Sequence, residues 1–238
     1  MTVKTCDLLN LEKIGYRTRT QSVYKDEIIE MSKRRNLLIH NDGVVDEKYI
    51  ENAPQKYKSV KPGSIFVVST NYFQAAIDIV YTLGFFLCLA SWHTHEISEK
   101  ERSKKIDEFL IPTLNQKRYS LVLRLTKNLN ETVLPRWTAG TLLVDRAVAF
   151  RELGEITQVR RIVSQLKDLD QRWPISLSIS MLTNNLEELK KQLMDRQVPP
   201  NISSWPVFDP IKNEIWFKKI FTLKQKQYLP KARKKRSS

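Results

Sequence analysis

Apolar and polar positions follow a helical period along almost the whole chain. Between residues 20 and 40, Ile28, Met31, Leu38 and Ile39 recur at three-four spacing, which predicts a helix. Asp26, Glu27 and Glu30 are read as lying near its start, where the helix dipole favours acids. Asn41-Asp42-Gly43 is a stop and turn signal that ends it. Residues 44–70 read as an irregular connection, broken at Pro54 and Pro62-Gly63, with Ile65-Phe66-Val67-Val68 as a short extended piece. Residues 71–95 form a long apolar helix, expected to be buried on most sides.

The second half continues in the same period. A charged helix from Ser98 to Leu110 is expected to end at Pro112, and 115–128 and 137–153 are further helical stretches. Leu142, Leu143, Ala147 and Phe150 line one helix, Gly154 turns, and Ile156 to Leu169 returns. Trp173-Pro174 punctuates the chain. Ser176 to Arg196 reads as a single helix with Leu177, Met181, Leu186, Leu189 and Leu193 on its apolar face, ended by Pro199-Pro200. Trp205-Pro206-Val207-Phe208 leads to a last helix from about Pro210 to Leu223. The expected class is all-α, in two packed halves. Residues 1–97 are a helical bundle, 98–225 a second, hairpin-type helical region, and 226–238 a basic tail expected to be disordered. The pattern from Ala147 to Gly154 faintly echoes a tetratricopeptide hairpin, but no repeat is seen at the ~34-residue period.

Composition narrows the function classes. At 41% hydrophobic residues the chain has enough apolar side chain for a core, so a disordered polar chain is excluded. Six glycines in 238 residues argue against Gly-rich phosphate loops, β-propellers and β-barrels. Cys6 and Cys88 support neither a disulfide framework nor a cysteine zinc site, which points to a reducing, cytoplasmic setting. Met1 to Lys13 carries charges and no apolar signal region. In the apolar helix the uninterrupted stretch Ile79–Ala90 is short of the ~20 residues of a bilayer span, so a buried core helix is expected and no membrane. The net charge of +14 is uneven: from Ile211 onward there are ten basic residues and one acid, Glu214. The terminal Lys231, Arg233, Lys234, Lys235 and Arg236 suit a phosphate backbone, or equally a solvated terminus.

The most informative segment is Arg34-Arg35-Asn36-Leu37-Leu38-Ile39-His40-Asn41-Asp42-Gly43. On a helix, Arg35 shares the stripe of Ile28, Met31 and Leu38, where a guanidinium is costly unless it is paired or faces a groove. Asn36 and His40, at i and i+4, share an adjoining face. The helix end is expected to present Arg35, Asn36 and His40 toward one place beside a turn. The bland alternative is an ordinary helix C-terminus, with Arg34 and His40 near the last carbonyls and Arg35 paired inside the bundle.

Arg35 to His40 fits the R-x4-6-H motif, and the run from Arg34 to Tyr49 resembles the longer signature of HEPN proteins of the prokaryotic abortive-infection and toxin type. Tyr57, Gly63, Tyr72 and Phe73 leading into an apolar helix are also similar, and Trp205 to Phe208 more weakly so. Residues 20–95 carry the likeness well and the remainder loosely. HEPN bundles usually have one or two long helices before the motif helix, whereas about 20 residues precede it here, so a shortened bundle is expected. The resemblance implies an HEPN-like bundle and a metal-independent endoribonuclease whose two motif copies meet across a homodimer axis. It implies His40 as general acid and base, Arg35 as phosphate stabiliser and Asn36 as orienting group, with no metal and no cofactor. Arg34 and Asn41 are assisting RNA contacts, and Tyr49 either stacks on a base or packs. RNA is the implied partner, with an antitoxin or regulatory protein as a further one. The alternative is a non-catalytic module of the same fold that binds a nucleotide, RNA or a protein.

Other segments say less. His93-Thr94-His95-Glu96 meets no metal spacing rule. The five tryptophans are read as packing anchors. No nucleophile elbow, phosphate loop or His-Glu-x-x-His motif occurs.

Overall fold

The computed structural model describes residues 19–94, 98–127, 129, 134–169, 172–195 and 200–228. It is all-α, with an isolated antiparallel bridge between Val44 and Ile65 and no strand among the described residues. The chain divides into two compact units, 1–98 and 99–238.

The first unit is built on α1, Arg19–His40. Because the helix begins at Arg19, Asp26, Glu27 and Glu30 lie in its interior and not at a dipole-favoured start. The helix ends where expected. The N–H groups of Asn41 and Gly43 both donate to the Leu37 carbonyl, at 2.8 and 3.0 Å. Gly43 adopts φ 78°, and a Cβ there would meet the Phe66 carbonyl at 3.3 Å. That close approach lets the Gly43 carbonyl accept from Phe66 N–H at 2.9 Å, which ties the helix end to the 64–66 segment.

The connection is less irregular than its prolines suggest. It holds α2, Glu47–Asn52, which Asp46 caps by accepting the Tyr49 N–H at 2.7 Å, and a 3-10 turn at Gln55–Tyr57. Leu37, Val45, Tyr49 and Ala53 form the small core here, with Ile50, Tyr57, Val60 and Phe66 packed against it. α3, Thr70–Thr94, crosses back along α1. It buries Ile79, Phe85, Phe86 and Leu89 but leaves Phe73, Ile77, Val80 and Leu87 exposed, so burial on most sides does not hold. Its stretch Thr70–Leu89 has a mean hydropathy of 1.6 and is the one described helix long and apolar enough to cross a membrane. Cys88 is a free thiol.

In the second unit, α4 (Glu99–Asn115) runs through Pro112 and does not stop before it. Proline lacks only its own N–H, and its carbonyl still accepts from Gln116 N–H at 3.0 Å. After α5 (Tyr119–Lys127) comes α6 (Arg136–Glu152), the central helix, buried continuously from Thr138 to Asp145 and again from Ala147 to Ala149. Its small residues admit close neighbours, and Gly140 faces Ile175 so tightly that a Cβ would lie 3.0 Å from Cδ1.

α6 turns at Gly154, φ 79°, into α7 (Ile156–Leu169), as the pattern predicts. Trp173-Pro174 opens α8 (Trp173–Leu182), because proline fits the first helical turn. The helix expected from Ser176 to Arg196 is two, α8 and α9 (Leu186–Asp195). Asn184 takes φ 56° and Asn185 Oδ1 accepts the Glu188 N–H at 3.2 Å, so two asparagines stop one helix and start the next. Short 3-10 segments at Pro200–Ser204 and Pro206–Ile211 pack over the bundle before α10, Ile215–Tyr228. Phe208 and Phe217 seal that end, with ring centroids 5.8 Å apart.

Candidate functional site

α1 presents three faces, and each part of its sequence motif lands on a different one. The inward face carries Glu30, Arg34 and Leu37. Glu30 is 1% exposed and is the hub of a polar network. Arg34 Nε donates to its Oε1 at 2.6 Å, the Tyr49 hydroxyl to the same oxygen at 3.2 Å, and the Tyr72 hydroxyl to Oε2 at 2.9 Å. The Arg34 guanidinium lies 4.0 Å from the ring centroids of both Phe66 and Tyr72. One carboxylate therefore joins α1, α2 and α3. Burial first, and the Glu30 charge second, push the Tyr49 hydroxyl up to about 12, and burial followed by the hydrogen bond to Glu30 raises Tyr72. Arg34 is thus committed to the fold. Tyr49, buried with its ring edge-on to Phe66, packs and offers no face for a base.

The second face looks into a pocket of about 330 Å³ at the helix end. Lys33, Asn36, Leu37 and His40 from α1 form one wall, and Asn41, Asp46, Lys48 and Tyr49 from the turn and α2 form the other. Asn36 and His40 are exposed side chains brought together as their spacing predicts. Asn41 Nδ2 donates to the Val44 carbonyl at 2.6 Å, which shapes the rim. Asp46 is occupied in capping α2. Among the described residues no carboxylate pairs with Lys33, Lys48 or His40. The pocket is therefore polar, cationic in balance and open to a phosphate-bearing ligand.

Arg35 lies on the third face. It does not line the pocket, and its Nη1 donates toward it, to Asn36 Oδ1 at 3.4 Å. The expected convergence of Arg35, Asn36 and His40 holds for the last two alone. His40 lies five positions after Arg35, which rotates them about 140° apart on an α-helix. Around Arg35 the surface is apolar: Ile28, Leu38 and Ile39 are exposed, as are the neighbouring Ile65 and Val67.

Sequence reasoning missed Lys33, Lys48 and Glu30. Lys33 was legible, since it stands three and seven residues before Asn36 and His40. Lys48 required recognising α2. Lys231, Arg233, Lys234, Lys235 and Arg236 lie outside the described residues, as do His95 and Glu96. No group of three or more His, Cys, Asp or Glu positioned to hold a metal occurs among the described residues. Compared with protein-family models, curated proteins and solved structures, the chain matches none.

Proposed function

We propose that this chain is an HEPN-like, metal-independent endoribonuclease, working as a homodimer in the cytoplasm as a defence or toxin-type effector. The observation that carries the reading is the pocket that gathers Asn36 and His40 with two lysines free of carboxylate partners among the described residues. RNA brings its own nucleophile. His40 takes the proton of a 2′-hydroxyl, whose oxygen attacks the adjacent phosphorus. The bond to the 5′-oxygen breaks, that oxygen receives a proton, and a 2′,3′-cyclic phosphate remains. Lys33 and Lys48 hold the flanking phosphates and Asn36 orients the scissile one, while Arg35, outside its own chain's pocket, neutralises developing charge only across the interface with a second copy. The exposed Leu38, Ile39, Ile65 and Val67 beside Arg35 suit burial against a second copy of the chain, which places two motifs at one interface.

The second reading is a non-catalytic module of the same fold that binds RNA, a nucleotide or a protein. The position of Arg35 outside the pocket favours it. Cleavage and binding measured in parallel, in EDTA, separate the two. Under the first reading His40→Ala abolishes cleavage and retains binding. A folded, dimeric wild type that binds RNA with salt sensitivity but cleaves none establishes the second.

A further inference from the structure

The second unit holds a cavity of about 290 Å³ that belongs to none of the chemistry above. Its wall includes Asp107 from α4, Trp137 and Thr141 from α6, and Trp205 between the two 3-10 segments. One turn beyond Thr141 on α6 lies Asp145, 1% exposed, whose Oδ1 accepts the Trp205 indole N–H at 3.4 Å. Asp145 thus fixes one aromatic wall from behind. One carboxylate, Asp107, and two indoles thus line one small space, with Asp145 behind Trp205.

The electrostatics of this space are unbalanced. Neither Asp107 nor Asp145 is ion-paired among the described residues, and no cationic side chain acts on either. Burial alone raises Asp107 to about 6, and burial followed by the Asp107 charge raises Asp145 well above the usual carboxylate range. A buried acid without a counter-charge is costly, and a cation entering the cavity would relieve Asp107 directly. The aromatic lining suits such a guest, because indole faces attract cations. Trp137 already takes the Arg172 guanidinium at 5.2 Å from its ring centroid. Thr141 Oγ1 donates to the Thr138 carbonyl at 3.1 Å, so its lone pairs remain to accept from a donor in the cavity.

We propose that the Asp107–Trp137–Trp205 cavity binds an organic cation, an alkylammonium or guanidinium head that enters against the Asp107 carboxylate between the two indoles. Its size, at the small end of ligand pockets, suits a charged head with a few methylenes and no larger molecule. The head could come from a free amine or from a lysine or arginine side chain of a partner peptide. With a net charge of +14 the protein repels cations in general, so their saturable binding reports a built site.

The test is calorimetric titration of the full chain, without RNA, at pH 7.5. The probes are spermidine, arginine amide and a short arginine-containing peptide, with a neutral diol of matching length as control. Saturable binding of at least one cation at one site per chain is expected, weakened about tenfold or more by Asp107→Asn and by Trp137→Leu. Asp107→Asn removes an unpaired desolvated charge and is expected to fold at least as well as the wild type, so its loss of binding cannot be ascribed to misfolding. Spermidine or arginine amide binding on a par with the peptide identifies a free small cation. A peptide that binds far more tightly identifies a partner side chain. No saturable binding of any cation, or equal binding by Asp107→Asn, overturns the proposal.

Discussion

Replacing Glu30 with alanine tests whether one buried carboxylate holds the motif helix in place. The change removes the acceptor of three hydrogen bonds: from Arg34 at 2.6 Å, Tyr72 at 2.9 Å and Tyr49 at 3.2 Å. It leaves a guanidinium clamped between two rings without a counter-ion, because the Arg34 side chain is only 13% exposed. Breaking a buried ion pair by deleting one partner costs about 3–5 kcal/mol. Each tyrosine hydroxyl left without its acceptor adds roughly 1 kcal/mol, and partial escape of Arg34 to water returns some of that. About 3 kcal/mol is therefore expected, a large share of the roughly 5–15 kcal/mol of a whole domain. Amide hydrogen exchange reads this in α1 directly, as a roughly hundredfold loss of protection, with α6 and α7 unchanged. Converting Arg34 to methionine in the same chain removes the stranded charge, so the double variant should recover about 2 kcal/mol relative to additivity. A loss under about 1 kcal/mol, or strict additivity with Arg34→Met, would refute the hub.

Four further outcomes are expected. Asp107 holds its proton to about 6 when folded against 3.8 when free, so stability falls as pH rises between these values, and Asp107→Asn removes that loss. Urea unfolding should show the variant more stable by up to about 3 kcal/mol at pH 7 and equal to wild type near pH 4; a less stable variant at pH 7 would contradict the desolvation argument. Gly140→Ala presses a methyl 3.0 Å from Ile175 and should cost about 1–3 kcal/mol, with Ile175→Val in the same chain restoring part of it. Lys33→Glu with Lys48→Glu should weaken RNA binding and flatten its salt dependence without changing far-ultraviolet circular dichroism; an unchanged salt slope would remove both lysines from the interface. Sedimentation at micromolar concentration should give a dimer that Leu38→Glu with Ile39→Glu dissociates, and a monomeric wild type would take away the composite site.

Much of the fold was legible because its elements are long and strongly periodic. α3, α6 and α7 follow their apolar spacing, α1 forms where its spacing predicts although Ile28, Leu38 and Ile39 are exposed, and Asn41-Asp42-Gly43 and Gly154 mark ends that backbone sterics impose. The misreadings have local causes. Asn184-Asn185 splits a run whose leucines keep helical spacing on both sides, because periodicity survives a tight turn. Pro112 sits in the last turn of α4, where the missing N–H matters little. α2 is only six residues long, and Asp46 and Pro54 mark its limits without an apolar stripe between them. The site was half legible. Asn36 and His40 meet because i and i+4 positions always do, whereas Arg35 could be placed only by knowing which face the core takes. That choice rests on Glu30, which reads as a solvated acid until Tyr49 and Tyr72 arrive from 19 and 42 residues away. Asp107 and Asp145 meet Trp205 only through tertiary packing, so no spacing in the sequence announces them.

The central claim, that His40 transfers protons in cleavage of RNA through its own 2′-hydroxyl, is tested most directly by the product ends. Purified protein and its His40→Ala variant are incubated with RNA in EDTA, and the fragments are analysed by mass. The account predicts 2′,3′-cyclic phosphate and 5′-hydroxyl ends from the wild type and intact RNA from the variant. Fragments with the same ends from His40→Ala, or 5′-phosphate ends from the wild type, would contradict it.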